Sequence, residues 1–197
     1  MSFFAGTDRE SILAVNTLLY IMEVVFIRHG HAIHNKGFEE EGESAYHSEK
    51  YAYSPLTEKG HLQTLSVTVA PVDCIFVSPL IRCIETARNI FGHNKILYLH
   101  DGLIETQGHT PNRRESRDEL CKHKNVNLKY VSDFMMEQSE SPKQIEDRAI
   151  RTVRHILSES SGFKRIAIVT HHDWLNGLLK KSFKNAEVYT ISESNIE

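Results

Sequence analysis

The chain has 197 residues, a hydrophobic share of 40%, a charged share of 25% and a formal net charge of −3 with its histidines neutral. This length suits one domain with a well-buried core, and the composition is that of an ordinary globular protein. The balance of charge gives no sign of a nucleic-acid or membrane partner, so any cationic site has to be local.

The N-terminal segment and the cysteines bear on where the protein works. Residues 11–22 are fairly apolar, but Asn16 and Thr17 interrupt them and the run is too short to span a bilayer. We therefore predict that residues 1–21 form a helix packed on the body of the domain or an N-terminal extension. The three cysteines have no metal-ligand spacing, and pairing two would leave one over. They favour a reduced protein and a cytoplasmic location.

Four consecutive apolar residues at 24–27 predict a buried strand, which ends abruptly at Arg28-His29-Gly30. The polar stretch 31–54 predicts a long loop that follows this strand. Thr57 is a suitable N-cap for the next helix. Three residues predict the apolar face of that helix: Leu62, Leu65 and Val69.

Strands and helices then alternate to the end of the chain. Further strands are predicted at 73–77, 95–99, 165–170 and, on an edge, 186–191. Helices are predicted from Ser78-Pro79 onward, around 116–122, from Pro142 to a stop at Gly162, and at 174–181. This alternation is typical of an α/β fold, so we expect one domain over residues 1–197, a three-layer α/β/α sandwich with a mostly parallel central sheet.

Unusual polar residues follow four of the predicted strands. Arg28 and His29 follow the first strand, Arg82 lies one turn into the helix after the second, Glu105 follows the third, and His171 follows the strand at 165–170. Carboxyl ends of parallel strands meet at one edge of the sheet, so these side chains are expected to line one cleft.

Two arginines, two histidines and a carboxylate suit phosphoryl transfer. Fixed cationic donors stabilise the charge that spreads over the phosphoryl oxygens in the transition state. Arginine binds phosphate with a bidentate fork, and a neutral histidine can form a covalent phosphoryl intermediate. A carboxyl group can supply the proton that the leaving oxygen needs.

Five segments in order resemble the histidine phosphatase superfamily, in its phosphoglycerate mutase-like branch. The resemblance runs from about residue 22 to residue 178. The segments are Arg28-His-Gly-x-x-x-x-Asn35, Ser54-Pro-Leu-Thr-x-x-Gly60-x-x-Gln63, Ser78-Pro-Leu-x-Arg82-x-x-x-Thr86-Ala87, Leu103-Ile-Glu105 and Val169-Thr-His171.

The resemblance implies a phosphoglycerate mutase-like fold and hydrolysis of phosphate monoesters without metal or other cofactor. His29 would be phosphorylated, Glu105 would act as acid and then base, and three residues would hold the phosphoryl group: Arg28, Arg82 and His171. Asn35 would contact phosphate or substrate. The substrate would be a small phosphomonoester.

The chain departs from the family pattern after its second histidine. His172 stands where a small residue is usual, so it narrows the pocket, adds a phosphate donor or points away. Arg113 and Arg114 resemble a basic pair that some members use on the far end of the substrate, although a solvated charge run is the plainer interpretation. Mutase-type phosphotransfer is the less favoured activity, because full-length cofactor-dependent mutases have a longer chain and lid.

Two alternatives belong to other classes. A non-catalytic phospho-ligand-binding module would keep the fold without the chemistry, and His172 gives that interpretation some support. A metal-dependent hydrolase would use histidines of the His29–His34 segment and of His171-His172-Asp173 as zinc ligands. Against it, Arg28 would place a fixed cation beside the metal.

Overall fold

The computed structural model describes residues 21–134 and 139–196. Its strands are β1 Glu23–Arg28, β2 Cys74–Val77, β3 Leu97–His100, β4 Val126–Tyr130, β5 Arg165–Thr170 and β6 Val188–Ser192. Its α-helices are α1 Ile33–Glu41, α2 Glu58–Leu65, α3 Ile81–Phe91, α4 Arg117–Leu120, α5 Pro142–Glu159 and α6 His172–Leu179.

The six strands form one sheet in the order β4-β3-β2-β5-β1-β6. Strand β5 lies between β1 and β2 and pairs in parallel with both, and β3 and β4 continue the parallel part. Only β6 among these strands runs antiparallel, at the edge beside β1. The predicted mostly parallel sheet and its edge strand are therefore confirmed.

Alternate residues of β1 bury opposite faces of the sheet and so define three layers. Val24 and Phe26 pack in a cluster with residues of α5 and α6, including Trp174. Val25 and Ile27 pack in a second cluster with residues of α3 and α4. A strand that is apolar at every position has to be covered on both faces, and this is why the four-residue apolar run lies in the middle of the sandwich.

Two local predictions on the helices are confirmed. The Thr57 hydroxyl accepts a hydrogen bond from the backbone N–H of Gly60 at 3.1 Å and caps α2. Gly162 has φ +91°, a conformation that suits the stop after α5.

The prediction of a loop over residues 31–54 is wrong. This stretch contains α1 and two 3-10 segments, Gly42–His47 and Glu49–Tyr51. The Asn35 side chain accepts a hydrogen bond from the backbone N–H of Ala32 at 2.9 Å, so a polar residue closes the first turn. The ring of Tyr51 is buried against Gly37, and one aromatic contact thereby anchors a segment with little apolar periodicity.

The predicted apolar face of α2 is also wrong. Leu62 and Leu65 are 64% and 62% exposed, whereas Gly60 and Thr64 are buried. The helix packs through close backbone approach: a Cβ placed on Gly60 would lie 2.0 Å from the carbonyl oxygen of His31. Glycine therefore marks the packed side of α2, and the leucines lie on the other side.

Smaller differences concern boundaries and one missed strand. The helix predicted at 116–122 is the single turn α4, and the helix predicted at 174–181 is α6, which begins at His172. Strand β4 was not predicted, because the half-buried Asn127 and the exposed Lys129 interrupt its apolar residues. Of the predicted N-terminal helix or extension, residues 1–20 lie outside the described part of the chain. Within that part, no helix is both long enough and apolar enough to cross a membrane.

Replacing Gly60 with alanine should lower the free energy of unfolding by about 1–3 kcal/mol, as overpacking does. Without the contact to His31, the same change in a helix would raise stability by up to about 1 kcal/mol. Urea unfolding of Gly60→Ala and of the exposed neighbour Lys59→Ala measures the difference. A Gly60→Ala protein as stable as Lys59→Ala would contradict the packing described for α2.

Candidate active site

His29 lies directly after β1 and is 2% exposed. Its backbone N–H donates to the carbonyl oxygen of Thr170 at 3.0 Å, which extends the pairing with β5 by one residue. Its ring Nδ1 lies 2.7 Å from the carbonyl oxygen of Gly30. A carbonyl oxygen can only accept, so Nδ1 carries the hydrogen and Nε2 keeps a free lone pair.

The surroundings of His29 keep its ring neutral. Burial lowers the pKa of His29 well below its ordinary value, and the charge of Arg82 lowers it further. The rings of His171 and His34 lie close, with centroids 5.1 and 5.6 Å from that of His29. A neutral imidazole with a free ring nitrogen is the form that can act as a nucleophile.

Two arginines lie near this ring, Arg82 buried and Arg28 half-buried, and both are held by oxygen atoms without formal charge. Arg82, 1% exposed, donates from Nη1 to the carbonyl oxygen of Pro111 and from Nη2 to Oδ1 of Asn112, both at 2.8 Å. Arg28 donates from Nη1 to the carbonyl oxygen of Phe183. These bonds fix both guanidinium groups without neutralising them.

Each of the two arginines has one N–H group that is unpaired in the described part of the chain. The Nε atoms of Arg28 and Arg82 are buried and have no hydrogen-bond acceptor in the part of the chain that the structure describes. Across residues 21–134 and 139–196, neither guanidinium forms a salt bridge with a carboxylate. Buried donors without acceptors are costly, so this pair suits an anion that accepts from both.

His171 lies at the end of β5 and is fully buried. Its Nε2 shares a hydrogen bond of 2.7 Å with Oγ of Ser78, the residue that follows β2. Burial lowers the pKa of His171 well below its ordinary value, and Arg82 and His29 add to the effect. The ends of β1, β2 and β5 thus meet at His29, Ser78 and His171, as their place in the sequence predicts.

Glu105 is the carboxyl group of the site. Its Oε1 accepts from the backbone N–H of Thr106 at 3.0 Å and of Trp174 at 3.3 Å, and its Oε2 accepts from the backbone N–H of Asp173 at 3.2 Å. Burial raises the pKa of Glu105 to about 7, and the neighbouring Asp173 carboxylate raises it as well. Near neutral pH, this carboxyl group can therefore both hold and release a proton.

Side chains of α5 and α6 hold the backbone of the turn that carries Glu105. Arg148 of α5 donates to the backbone carbonyl oxygens of Ile104 at 2.6 Å and Glu105 at 3.2 Å. The indole N–H of Trp174 donates to the carbonyl oxygen of Gly102 at 2.8 Å. The acid is thus positioned by α5 and α6, which pack on the same face of the sheet.

Asn35 and His172 lie at the margin of this group. Oδ1 of Asn35 closes the first turn of α1, and its Nδ2 lies 3.1 Å from Nε2 of His34, whose ring neighbours that of His29. Nδ1 of His172 donates to the carbonyl oxygen of Phe183 at 3.2 Å, the same oxygen that holds Arg28. Both side chains therefore contact residues that surround the site.

Arg113 and Arg114 are engaged elsewhere. Nη1 of Arg113 donates to both carboxylate oxygens of Glu49, at 2.8 and 2.7 Å. The buried Arg114 forms a salt bridge with Asp101 at 3.2 Å. Both line a cavity of about 360 Å³ whose lining includes neither His29 nor Glu105.

Three groups near the site were not predicted: Pro111 with Asn112, Asp173 as a neighbour of Glu105, and Tyr46. The first two act through hydrogen bonds or charge across long separations in the chain, which a strand-end pattern does not reveal. Tyr46 belongs to a stretch predicted as loop. Its ring lies 5.1 Å from that of His109, three residues before the asparagine that holds Arg82.

The donor set that a metal site would require is dispersed. His31 shares hydrogen bonds with Thr57 and Glu39 at 2.8 and 3.2 Å, and His172 is bonded to the carbonyl oxygen of Phe183. Over the residues that the structure describes, no three histidine, cysteine or acidic side chains are grouped as metal ligands.

Comparisons with known proteins agree with this geometry. Residues 24–192 match the histidine phosphatase superfamily (branch 1). No curated protein sequence matches the chain.

Several solved structures share the fold. An ecdysone phosphate phosphatase from Bombyx mori has a TM-score of 0.65 at 13% identity over 89% of this chain and 91% of its own. An alpha-ribazole phosphatase from Shigella flexneri has a TM-score of 0.61 at 19% identity, with 87% and 90% covered. A phosphoglycerate mutase from Bacillus anthracis has a TM-score of 0.56 at 20% identity, with 86% and 87% covered.

The predicted phosphoglycerate mutase-like sandwich is confirmed by these structures, and the matched family spans nearly the whole described chain. The chain belongs to the histidine phosphatase superfamily.

Proposed function

We propose that this protein hydrolyses phosphate monoesters through a phosphohistidine intermediate on His29. One observation carries the proposal: the buried neutral imidazole of His29 lies within electrostatic reach of two arginines whose buried Nε groups have no acceptor in the described chain. Together they offer a nucleophile and a binding site for the anion that it attacks. The phosphatases among the solved structures with this fold support the same reaction class.

In the first step, Nε2 of His29 attacks phosphorus and the bond from phosphorus to the ester oxygen breaks. The carboxyl group of Glu105 gives its proton to the leaving oxygen, and an alcohol departs. In the second step, the Glu105 carboxylate takes a proton from water, whose oxygen attacks the phosphohistidine. Phosphate leaves, and His29 regains its free nitrogen.

Arg28, Arg82 and His171 act in both steps by stabilising the charge on the phosphoryl oxygens. The guanidinium groups are held in place by Phe183, Pro111 and Asn112 before any substrate arrives. Donors that are already oriented need no reorganisation as charge develops, and removal of one such donor costs about 10²–10³-fold in kcat.

Asn35 and His172 remain predicted phosphate ligands, supported by their contacts with the neighbours of His29 and Arg28. For Arg113 and Arg114, the salt bridges with Glu49 and Asp101 favour a role in holding the surrounding loops. The substrate would then be recognised mainly by its phosphate and by groups near Glu105.

The proposal includes a small-molecule substrate and a reaction that needs no metal, in a cytoplasmic setting. The free cysteines support a reducing environment, since Cys74 and Cys83 are buried thiols and Cys121 is an exposed one.

Hydrolysis of 4-nitrophenyl phosphate in the presence of a chelator tests the reaction class. We expect turnover by the purified protein and a loss of at least about 10³-fold in kcat in His29→Ala, because a covalent step is removed. His93→Ala, an exposed histidine, is the matched control and should keep full activity. Equal activity in His29→Ala, or activity restored only by a metal, would refute the proposed mechanism.

The pH dependence tests the role of Glu105. Its protonated form is needed in the first step, so kcat/KM should fall as the pH rises through about 7, the pKa of this group. Asp173 raises that pKa while Arg82 lowers it, so Asp173→Asn should move the fall to lower pH. Asp147→Asn, on the exposed side of α5, is the control. If Asp173→Asn leaves the pH dependence of kcat/KM unchanged, Glu105 does not cause the fall at high pH.

A further inference from the structure

Four aromatic rings form a continuous row on the surface beside the active site. The ring of Phe38 lies 5.4 Å from that of Tyr46, Tyr46 lies 5.1 Å from His109, and His109 lies 6.0 Å from His47. We call these four residues the aromatic wall. Phe38 is 45% exposed, His47 is exposed, and the other two are half-buried. The wall therefore offers ring surface to a ligand as well as to its own members.

The wall adjoins the arginines of the site. His109 lies at the start of the turn Thr110–Asn112, and its carbonyl oxygen accepts from the backbone N–H of Asn112 at 3.0 Å. The last two residues of that turn, Pro111 and Asn112, hold Arg82. His109 is therefore held by the same turn that orients Arg82.

Tyr46 interacts electrostatically with the charged groups of the same site. Burial raises the pKa of its hydroxyl group, and the carboxylates of Asp173 and Glu105 raise it further, while Arg28 and Arg82 oppose them. Charges from four different elements act on this one phenol, so its ring lies within electrostatic reach of the acid and of both arginines. A leaving group whose oxygen takes the proton of Glu105 would therefore come near this ring.

Two carboxylates close to the wall in the chain are paired. Glu49, near His47 in the chain, is neutralised by Arg113 at 2.7 Å. Glu41 accepts hydrogen bonds from Lys50 and from the hydroxyl of Tyr51. A row of rings flanked by paired charges suits an uncharged apolar group, and aromatic rings pack on one another with a preference beyond their buried area.

We propose that the aromatic wall is the subsite for the leaving group, and that the protein takes phosphate monoesters whose alcohol or phenol carries an aromatic ring. The inference rests on the proposed function, since it assumes that phosphate binds at Arg28 and Arg82. It assigns substrate recognition to Phe38, Tyr46, His47 and His109.

Binding of two non-hydrolysable ligands isolates the wall from catalysis. Ethylphosphonate and 2-phenylethylphosphonate share the anionic group and differ by one ring. Calorimetric titration of the wild-type protein should give about tenfold tighter binding of the aromatic ligand, the gain expected from one additional ring contact. A cyclohexyl analogue should bind less tightly than the aromatic one.

Variants of the wall assign the preference to its rings. The affinity ratio of the two phosphonates should fall to less than about twofold in Tyr46→Ala and should also fall in His109→Ala. Tyr46→Phe keeps the ring and should keep the ratio. Tyr46→Leu, which retains most of the side-chain volume, replaces Tyr46→Ala if the alanine variant does not fold.

Three results would overturn the inference: equal affinities in the wild-type protein, a cyclohexyl ligand bound as tightly as the aromatic one, or a ratio unchanged by the loss of Tyr46 and His109. The last would show that the rings only pack the surrounding loops together. Failure of the proposed function is a separate result, because an inactive protein can still show the affinity ratio, and an active one can lack it.

Discussion

The site depends on two arginines, one buried and one half-buried, that no carboxylate of the described chain neutralises. Arg28 and Arg82 are held by the oxygen atoms of Phe183, Pro111 and Asn112, so their positive charge remains available at the sheet edge. The cost of burying these charges is offset when an anion binds, and a phosphate matches their geometry. Burial lowers the pKa of His29 and the charges of Arg82 and Arg28 lower it further, which favours the neutral imidazole that a nucleophile requires.

The sheet brings these groups together through its topology. Strand β5 enters between β1 and β2 late in the chain, and it places His171 beside His29 across 142 positions of sequence with ring centroids 5.1 Å apart. The acid comes from the turn after β3, which Arg148 and Trp174 fasten to the helices beneath. The strand ends that meet at this edge of the sheet therefore also carry the residues of the site.

Sequence patterns predicted the buried strands and the residues at their ends, because apolar runs and abrupt polar turns are local signals. They failed where packing depends on contacts between distant segments. The exposed leucines of α2 were assigned to the core because periodicity cannot show that Gly60 allows the backbone of His31 to approach. Asp173 and Asn112 were missed for a related reason. They act on Glu105 and Arg82, by charge and by a hydrogen bond respectively, and lie far from them in the chain. The residues of the aromatic wall lie in segments without apolar periodicity. Sequence patterns therefore did not single them out.

The most direct test of the central claim is to catch the phosphoryl group on His29. Rapid quenching of the protein mixed with a radioactive monoester should trap one labelled site per chain, stable in base and labile in acid, and peptide mapping should place the label on His29. An active protein that hydrolyses the ester at the measured rate while no such intermediate forms, or that carries the label on another residue, would contradict this account.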